Sequence, residues 1–192
     1  MHEQSKAARR RSNIPSFHNR YFVGHGIDIG AGNDSLANFR HVFRGLNDVI
    51  GWDIKDGDAN YLHGLADNAF DFAVSSHCLE HMVFPKLAID NWLRIVKPGG
   101  YLIVTIPDEE MYEQGVWPSR FNSDHKWSFT TKVNSAMPKS INLLNFISIF
   151  NNIAVLEKIE VIHDFYQEGR KLQDQTLNPC VESSIEFILR KL

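Results

Sequence analysis

The sequence predicts an α/β fold in which a mostly parallel sheet carries helices on both faces. Apolar, strand-like runs alternate along the chain with amphipathic stretches, and this alternation is typical of parallel sheets. A short apolar strand also runs into a glycine-rich turn at Gly26 to Gly32. Ligands of such sheets bind outside the carboxyl ends of the strands, where glycines let the backbone approach them closely. We therefore expect a ligand site at the edge that this turn marks.

A predicted helix and a second strand follow the glycine turn. Asp34 or Ser35 can cap a short helix that reaches about Arg44. The strand-like run Asn47 to Asp53 comes next, and within it Asp48 to Trp52 is predicted to be a buried strand. A carboxylate at the end of the second strand of a βαβ unit, here Asp53, accepts hydrogen bonds from ribose hydroxyls. The spacing therefore predicts a cofactor that contains a nucleoside.

Two further strands flank a second helix. Phe70 to Ser76 is predicted as a strand, and Pro85 suits the first turn of the helix that comes next. The run Lys97 to Gly100 ends this helix, because proline and glycine do not continue it. Tyr101 to Ile106 follows as a fully buried strand. All these strands are expected to end at the same edge as the glycine turn.

The last third of the chain has a different pattern. A helix is predicted from Pro138 to about Asn151. Ile153 to His163 and Ser184 to Leu189 alternate polar and apolar residues, as half-exposed strands do, and can pair as an antiparallel hairpin. The polar segment between them, Phe165 to Val181, is predicted to be a long loop.

Composition restricts the function classes. The chain has 192 residues, 43% of them hydrophobic, and a net charge of -3. This size suits one domain, predicted over residues 21–192, and no apolar run approaches the roughly 18 residues of a membrane span. The acidic balance predicts no nucleic-acid partner. The cluster Arg9-Arg10-Arg11 is placed in a flexible N-terminal arm, residues 1–20.

Cysteine usage indicates the compartment. Cys78 and Cys180 lie far apart in sequence and form no disulfide framework. No apolar leader core follows Met1, so the predicted location is the reducing cytoplasm.

Three motifs carry a resemblance to a known family. They are Asp28-Ile29-Gly30-Ala31-Gly32, the run Phe70 to His81 and the run Leu93 to Val104. In this order and spacing the chain resembles the class I S-adenosylmethionine-dependent methyltransferases of the type 11 group, over roughly residues 23–107. The runs Tyr112 to Asn122 and Asp124 to Lys126 resemble a bacterial branch that is associated with surface-glycan assembly.

The resemblance implies a Rossmann-like twisted sheet of six to seven strands whose last two form an antiparallel hairpin. Relatives place a helix and much of a strand where this chain has only four residues, between Asp53 and Asp58. The sheet is therefore predicted to be compressed around its third strand. A substrate-side insertion is expected at about residues 107–137.

By the same resemblance, S-adenosylmethionine is the cofactor and lies across the glycine turn. The turn would approach the methionine part, Asp53 would hold the ribose, and Asp58 with Ala59 would flank the adenine. The complete set of predicted cofactor-binding residues is Asp28, Gly30, Ala31, Gly32, Asp53, Ile54, Asp58, Ala59 and Ser75.

Transfer of a methyl group from a sulfonium is an in-line displacement, so the protein mainly has to position its two substrates. A base is needed if the acceptor is a hydroxyl, and histidine suits that role near neutral pH. His125 is the first candidate, followed by His77 and His81; the alternative is that each caps a helix or packs in the core. Predicted acceptor-binding residues are Tyr112, Trp117 and Arg120.

The resemblance implies a small polar acceptor, with a sugar hydroxyl in glycan biosynthesis as the leading candidate, carried by a sugar or a nucleotide sugar. Trp117, Phe121, Trp127 and Phe129 can stack on such an acceptor or pack a lid onto the core. The two interpretations stay open at the level of the sequence.

Three other classes compete. His77 to His81 spells H-x-x-E-H, an inverted zinc-peptidase signature, but it directly follows a strand and Pro85 leaves it about two turns of helix, so no metal is predicted. A nicotinamide-dependent oxidoreductase is disfavoured because Asp34 would repel a pyrophosphate at the turn. The third alternative is a non-catalytic protein that keeps the fold and the cofactor site.

Overall fold

Six strands form the central sheet in a computed structural model that describes residues 2–135, 137–170 and 172–192. In chain order the strands are β1 Gly24–Ile29, β2 Leu46–Trp52, β3 Phe70–Ser76, β4 Val96–Pro107, β7 Ala154–Ile162 and β8 Ser184–Lys191. Their order across the sheet is β2-β1-β3-β4-β8-β7. The first four in this order are parallel, and β8 runs antiparallel to both β4 and β7. Two short parallel strands, β5 Ser128–Thr130 and β6 Ser140–Asn142, pair outside this sheet.

Helical segments cover both faces of the sheet. The α-helices are α1 Glu3–Arg11, α2 Pro85–Ile95 and α3 Leu143–Ser148. On one face, α2 and α3 pack Trp92 and Phe146 against the sheet. On the other face, residues near the N-terminus, among them Phe17 and Phe22, pack against β3. The predicted α/β class, the mostly parallel sheet and the C-terminal antiparallel hairpin are therefore confirmed.

The compression around the third strand is visible directly. β2 ends at Trp52 and β3 begins at Phe70, with only turns between them. Among the described residues no strand pairs with the outer side of β2. The sequence interpretation of β2 as a buried strand is wrong for this reason: as an edge strand it leaves Ile50 43% exposed.

Two predicted helices are shorter than expected. After the glycine turn only Leu36–Phe39 is helical, as a 3-10 turn whose cap, Ser35, accepts a hydrogen bond from the Ala37 N–H. The predicted helix from Pro138 begins at Leu143, because Ser140–Asn142 pairs as β6 and Asn142 then caps α3. Local capping residues thus decide both helix starts.

The N-terminus differs from the flexible arm that the sequence predicts. Residues 3–11 form α1, and the Arg11 side chain is fully buried. Its Nη2 atom lies 2.8 Å from Glu186 Oε2 and donates to Thr105 Oγ1 at 2.8 Å. Arg10 Nη2 also contacts Glu186, at 3.0 Å. The arginine cluster therefore neutralises a buried carboxylate of β8, and this ties α1 to the sheet.

Glu186 titrates at an unusually low pH. Burial alone would raise the pKa of this carboxyl, but the positive charges of Arg11, Arg10 and Lys158 outweigh burial and hold it well below its ordinary value of 4.5. A folded pKa below the unfolded one stabilises the native state above the ordinary value. That stabilisation is lost as the pH falls below about 4.5 towards the lower folded pKa.

Glu186→Gln should reduce the free energy of unfolding by about 3–5 kcal/mol at pH 7, because it leaves the buried Arg11 charge unpaired. Urea unfolding measures the loss, and repeating it from pH 7 to pH 3 should show a weaker acid dependence than in the unmodified protein. Glu160→Gln, at a carboxylate that is 45% exposed, is the control and should change stability by less than about 1 kcal/mol. Equal losses in the two variants would contradict the assigned role of Glu186.

Candidate functional site

A cavity of about 440 Å³ lies at the carboxyl edge of the sheet, as expected for a parallel fold. The glycine turn forms one wall, and residues that follow β3 and β4 form the opposite wall. The N-terminus of α1 lies over both. The lining residues are His2, Glu3, Gln4, Asp28, Gly30, Ala31, Gly32, Asn33, Asp34, Ser76, His77, Glu80, His81, Tyr112, Asn122 and His125.

The glycine turn has a backbone shape that other residues adopt with strain. Gly30 has φ +79° and Gly32 has φ +50°. A Cβ atom on Gly30 would lie 2.6 Å from the Cβ of Cys78, so the turn packs directly against the segment that follows β3. The N–H groups of Gly30 and Ala31 both donate to the carbonyl of Trp52, at 2.9 and 3.2 Å. The turn is therefore held between β2 and Cys78.

Asp28 fixes the chain after the turn. Its carboxylate is 1% exposed and accepts a 2.6 Å hydrogen bond from the Leu36 N–H. Burial raises the pKa of Asp28 to about 6, and the hydrogen bonds from Leu36 and Ser35 oppose that rise. The sequence predicts Asp28 as a cofactor-binding residue, and in the structure it lines the cavity while it holds the loop.

The start of α1 covers the glycine turn. The N–H of Ser5 donates to Asp34 Oδ2 at 2.9 Å, and the Ser5 hydroxyl donates to the same carboxylate. Inside the cover, Glu3 is 7% exposed and pairs with Lys6 at 2.8 Å. These contacts close the cavity on the side away from the sheet.

A buried carboxylate stands among three imidazoles on the wall opposite the turn. Glu80 is 1% exposed. Its Oε1 atom lies 3.7 Å from His77 Nδ1, 3.9 Å from His81 Nε2 and 3.9 Å from His125 Nε2. The three predicted catalytic histidines are thus neighbours, although 48 positions separate His77 from His125 in the sequence.

Burial also shifts the protonation of this group. It lowers the pKa of His77 to about 3, with a further contribution from the positive charge of His125 and Lys6. It lowers the pKa of His81 in the same way. It raises the pKa of Glu80 to about 7, against the attraction of His125. These shifts in pKa favour the neutral imidazoles of His77 and His81 near neutral pH.

The predicted cofactor-binding residues divide into two groups. Asp28 and the glycine turn line the cavity, whereas Ser75 is buried and donates to the Ile29 carbonyl at 3.0 Å. Asp53 lies just outside: its Oδ2 atom is 3.8 Å from where a Cβ on Gly32 would stand. Next to it, the side chain of Ile54 is 90% exposed.

The predicted adenine-flanking pair lies further along the same segment. Asp58 is exposed and accepts hydrogen bonds from the backbone and side-chain nitrogens of Asn60, both at 2.8 Å. Ala59 is partly buried against the core under α2. Neither residue lines the cavity.

The predicted acceptor-binding residues also separate. Tyr112 lines the cavity and its ring lies 5.3 Å from that of His125. Trp117 lines a neighbouring cavity with Glu109 and Lys132. Arg120 is exposed and stands over the Phe121 ring. Of the four aromatic residues that could form a stacking wall, Phe129 is fully buried in the core.

Three residues in or beside the cavity were missed by sequence reasoning. Glu113, which is 1% exposed, accepts a 2.6 Å hydrogen bond from His125 Nδ1, and Asn122 lies beside the same histidine in the cavity. Glu3 approaches His77 from α1, at 3.7 Å. No local pattern marks these three residues, since each is brought in by a separate segment of the fold.

The H-x-x-E-H run does not form a peptidase helix. Only Leu79–His81 is helical, as a 3-10 turn, and His77 has φ +53°. The two histidines of the run are therefore not one α-helical turn apart, which the peptidase signature requires. The turn that follows β3 brings both histidines close to Glu80.

Comparisons with known proteins agree with this geometry. A family model described as "Methyltransferase domain" matches residues 12–104. Demethylmenaquinone methyltransferase of Paenarthrobacter aurescens is 37% identical over 79 residues, which make up 41% of this chain and only 30% of that enzyme. The uncharacterized protein MJ1123 of Methanocaldococcus jannaschii is 27% identical over 181 residues, or 83% of this chain and 84% of that protein.

A solved structure is similar over nearly the whole chain. It is a SAM dependent methyltransferase from Archaeoglobus fulgidus, with a TM-score of 0.65, 19% identity, and coverage of 98% of this chain and 94% of the other. This likeness supports the sheet order and the hairpin. Among the described helices, none is long and apolar enough to cross a bilayer.

Gly30→Ala should destabilise the protein by about 1–3 kcal/mol, because alanine is strained at this φ and its Cβ would overlap Cys78. Gly169→Ala is the control, since a Cβ there meets nothing within 4 Å; it should change stability by less than about 0.5 kcal/mol. Thermal unfolding of both variants measures the difference. A tolerated Gly30→Ala would contradict the tight packing of the turn.

Proposed function

We propose that the chain is an S-adenosylmethionine-dependent methyltransferase and that it methylates a hydroxyl group of a small polar acceptor. The observation that carries this proposal is the cavity, which sets the glycine turn opposite three histidines and Glu80. A glycine turn followed by a distant acidic residue is also found in nicotinamide-dependent oxidoreductases. The family match favours a methyltransferase over that class.

The donor fits the side of the cavity that the glycine turn forms. Gly32 leaves open space where a side chain would stand, so a methionine moiety can lie directly against the backbone there, whereas Cys78 fills the space beside Gly30. Asp53, beside Gly32, is placed to accept hydrogen bonds from two ribose hydroxyls. The exposed Ile54 offers an apolar surface to the adenine, followed by Asp58 and Ala59. Asp28 and Ser75 support this wall through their contacts with the backbone.

The histidines form the acceptor side. S-adenosylmethionine supplies an electrophilic methyl group: as the acceptor oxygen takes it, the electron pair of the C–S bond stays on sulfur and the hydroxyl proton has to leave. His125 is the first candidate to receive that proton, because Glu113 holds its Nδ1 atom and directs Nε2 towards Glu80. His77 and His81 lie in the same cluster as further candidates.

The lining of the cavity favours a polar acceptor. Carboxylates, imidazoles and Asn122 surround the space, and Tyr112 adds a single phenol ring. A sugar or nucleotide sugar in glycan biosynthesis presents hydroxyls to such groups, and the motif between Tyr112 and Lys126 supports it by resemblance. Tyr112 is the first acceptor-binding candidate, and Trp117 and Arg120 would have to act from the surrounding segment, residues 107–137.

A quinone is the second acceptor candidate. It is favoured by the identity to the demethylmenaquinone methyltransferase, although that match covers 30% of the enzyme. Transfer of a labelled methyl group from S-adenosylmethionine to a panel of sugars, nucleotide sugars and demethylmenaquinone distinguishes the two. Methylation of the quinone alone would overturn the hydroxyl proposal.

Asp53→Ala should weaken binding of S-adenosylmethionine by about 2–4 kcal/mol, because the ribose hydroxyls lose a charged hydrogen-bond acceptor. Isothermal titration calorimetry measures the change, and Asp48→Ala, at an exposed carboxylate on β2, is the matched control with no expected effect. Reduced nicotinamide cofactor should not bind either protein. If Asp53→Ala binds the donor as tightly as the control does, the ribose assignment is wrong.

His125→Ala should lower kcat by about 10²–10⁴ and leave the dissociation constant of S-adenosylmethionine unchanged, because the residue acts on the acceptor. Steady-state turnover with the best acceptor of the panel, together with donor titration, separates the two effects. Loss of donor binding with unchanged turnover per bound donor would place His125 on the donor side instead.

A further inference from the structure

The carboxylate of Glu80 has no adequate partner within the described part of the chain. It is 1% exposed, and neither Oε1 nor Oε2 has a hydrogen-bond partner there. Lys and Arg side chains pair with Glu3 and Glu186 nearby, but the described ion pairs of Glu80 involve histidines only. Burying an unpaired carboxylate is costly, and a cation bound beside Glu80 would remove that cost.

Nitrogen atoms surround the same oxygen. The Nε2 atoms of His81 and His125 each lie 3.9 Å from Glu80 Oε1. One ligand atom from each of Glu80, His81 and His125 can be chosen so that all three lie within 4.8 Å of one another. Two ligands about 2.1 Å from one tetrahedral ion are about 3.4 Å apart. The two Glu80–histidine distances exceed this separation by about half an ångström, and the distance between the two histidine nitrogens exceeds it by at most about 1.4 Å, so small side-chain shifts would complete a binding site.

The outward nitrogens of these rings are fixed by hydrogen bonds. His125 Nδ1 bonds to Glu113 Oε1 at 2.6 Å, and His81 Nδ1 bonds to Asp124 Oδ2 at 2.9 Å. In metal sites a carboxylate commonly receives the outer N–H of a ligating histidine, which orients the ring and leaves the other nitrogen free for the ion. Both histidines have this arrangement.

We propose that Glu80, His81 and His125 bind one divalent transition-metal ion on the acceptor side of the cavity. Two imidazoles and one carboxylate suit zinc and its first-row neighbours, whereas magnesium and calcium prefer oxygen ligands alone. This departs from the sequence prediction of no metal, and it differs from a peptidase site because Glu80 is a ligand and His125 comes from a distant segment.

Three protein ligands leave coordination positions open for a small molecule. The rest of this inference depends on the proposed function: an acceptor hydroxyl at an open position would be polarised by the ion, which eases loss of its proton. His125 would then hold the ion and not take the proton itself. The expected substrate is therefore an acceptor with a hydroxyl group that can coordinate the metal ion when the acceptor is bound in the cavity.

The test is a titration of chelator-treated, metal-free protein with zinc chloride by isothermal titration calorimetry. Cys180→Ser is the parent chain, because Cys180 is an exposed free thiol that could bind zinc by itself. We expect one equivalent to bind, with little binding of magnesium chloride. Glu80→Gln and His125→Ala should each weaken zinc binding more than about 100-fold, and His41→Ala, an exposed histidine outside the cavity, should leave it unchanged.

Glu113→Gln provides a second measure that keeps all three ligands. It should weaken zinc about 10–100-fold by freeing the His125 ring. Cobalt chloride gives a spectroscopic readout: its visible absorption in the parent should change shape in Glu80→Gln. Absence of zinc binding, or equal affinity in the parent, Glu80→Gln and His125→Ala, would overturn the site.

The same samples are titrated with S-adenosylmethionine, which separates this inference from the proposed function. Donor binding without zinc binding would overturn the metal site and leave methyl transfer in place. Zinc binding without donor binding would overturn the proposed methyl transfer and leave the metal site in place. If Glu80→Gln does not fold, as judged by circular dichroism, His125→Ala and Glu113→Gln decide the outcome.

Discussion

Parallel pairing of β1, β3 and β4 is the constraint on which the rest of the molecule depends. Ile29 pairs with Ser75, and Ser75 pairs with Val104, so β1 and β3 end within one residue of each other, and β4 continues three residues beyond Val104, to Pro107. The glycine turn, the His77–His81 segment and the chain that carries Tyr112 and His125 all leave the sheet at this edge. Residues far apart in sequence thus meet in one cavity.

Two buried carboxylates near this edge have different partners. Glu186, in β8, is neutralised within the chain by Arg10 and Arg11 of α1, and that pairing draws the N-terminus across the cavity. Glu80, at the edge, is faced by imidazoles instead of permanent cations. The pairing of Glu186 ties α1 to the sheet, whereas Glu80 is the residue at which we propose that a metal ion binds.

Much of the fold could be predicted from the sequence, because strands and turns leave local patterns. The glycine turn, β3, the start of α2 at Pro85 and the antiparallel hairpin follow from apolar runs and from proline and glycine positions. The helix after Pro138 could not be placed, because pairing of Ser140–Asn142 with β5 is non-local. The position of α1 could not be predicted either, because its arginines are buried only through a non-local ion pair with Glu186. In the site, the three histidines could be identified by residue type, but the dependence of His125 on Glu113 required the folded chain.

A crystal structure with bound S-adenosylhomocysteine tests the central claim most directly. The account predicts the homocysteine moiety against Gly30 to Gly32, the ribose hydroxyls on Asp53, and the sulfur atom facing the wall formed by Glu80 and His125. The distance from sulfur to the histidines is then short enough for an acceptor atom and one methyl group between them. Product bound elsewhere, or with its sulfur turned away from Glu80 and His125, would contradict the assignment of the two sides of the cavity.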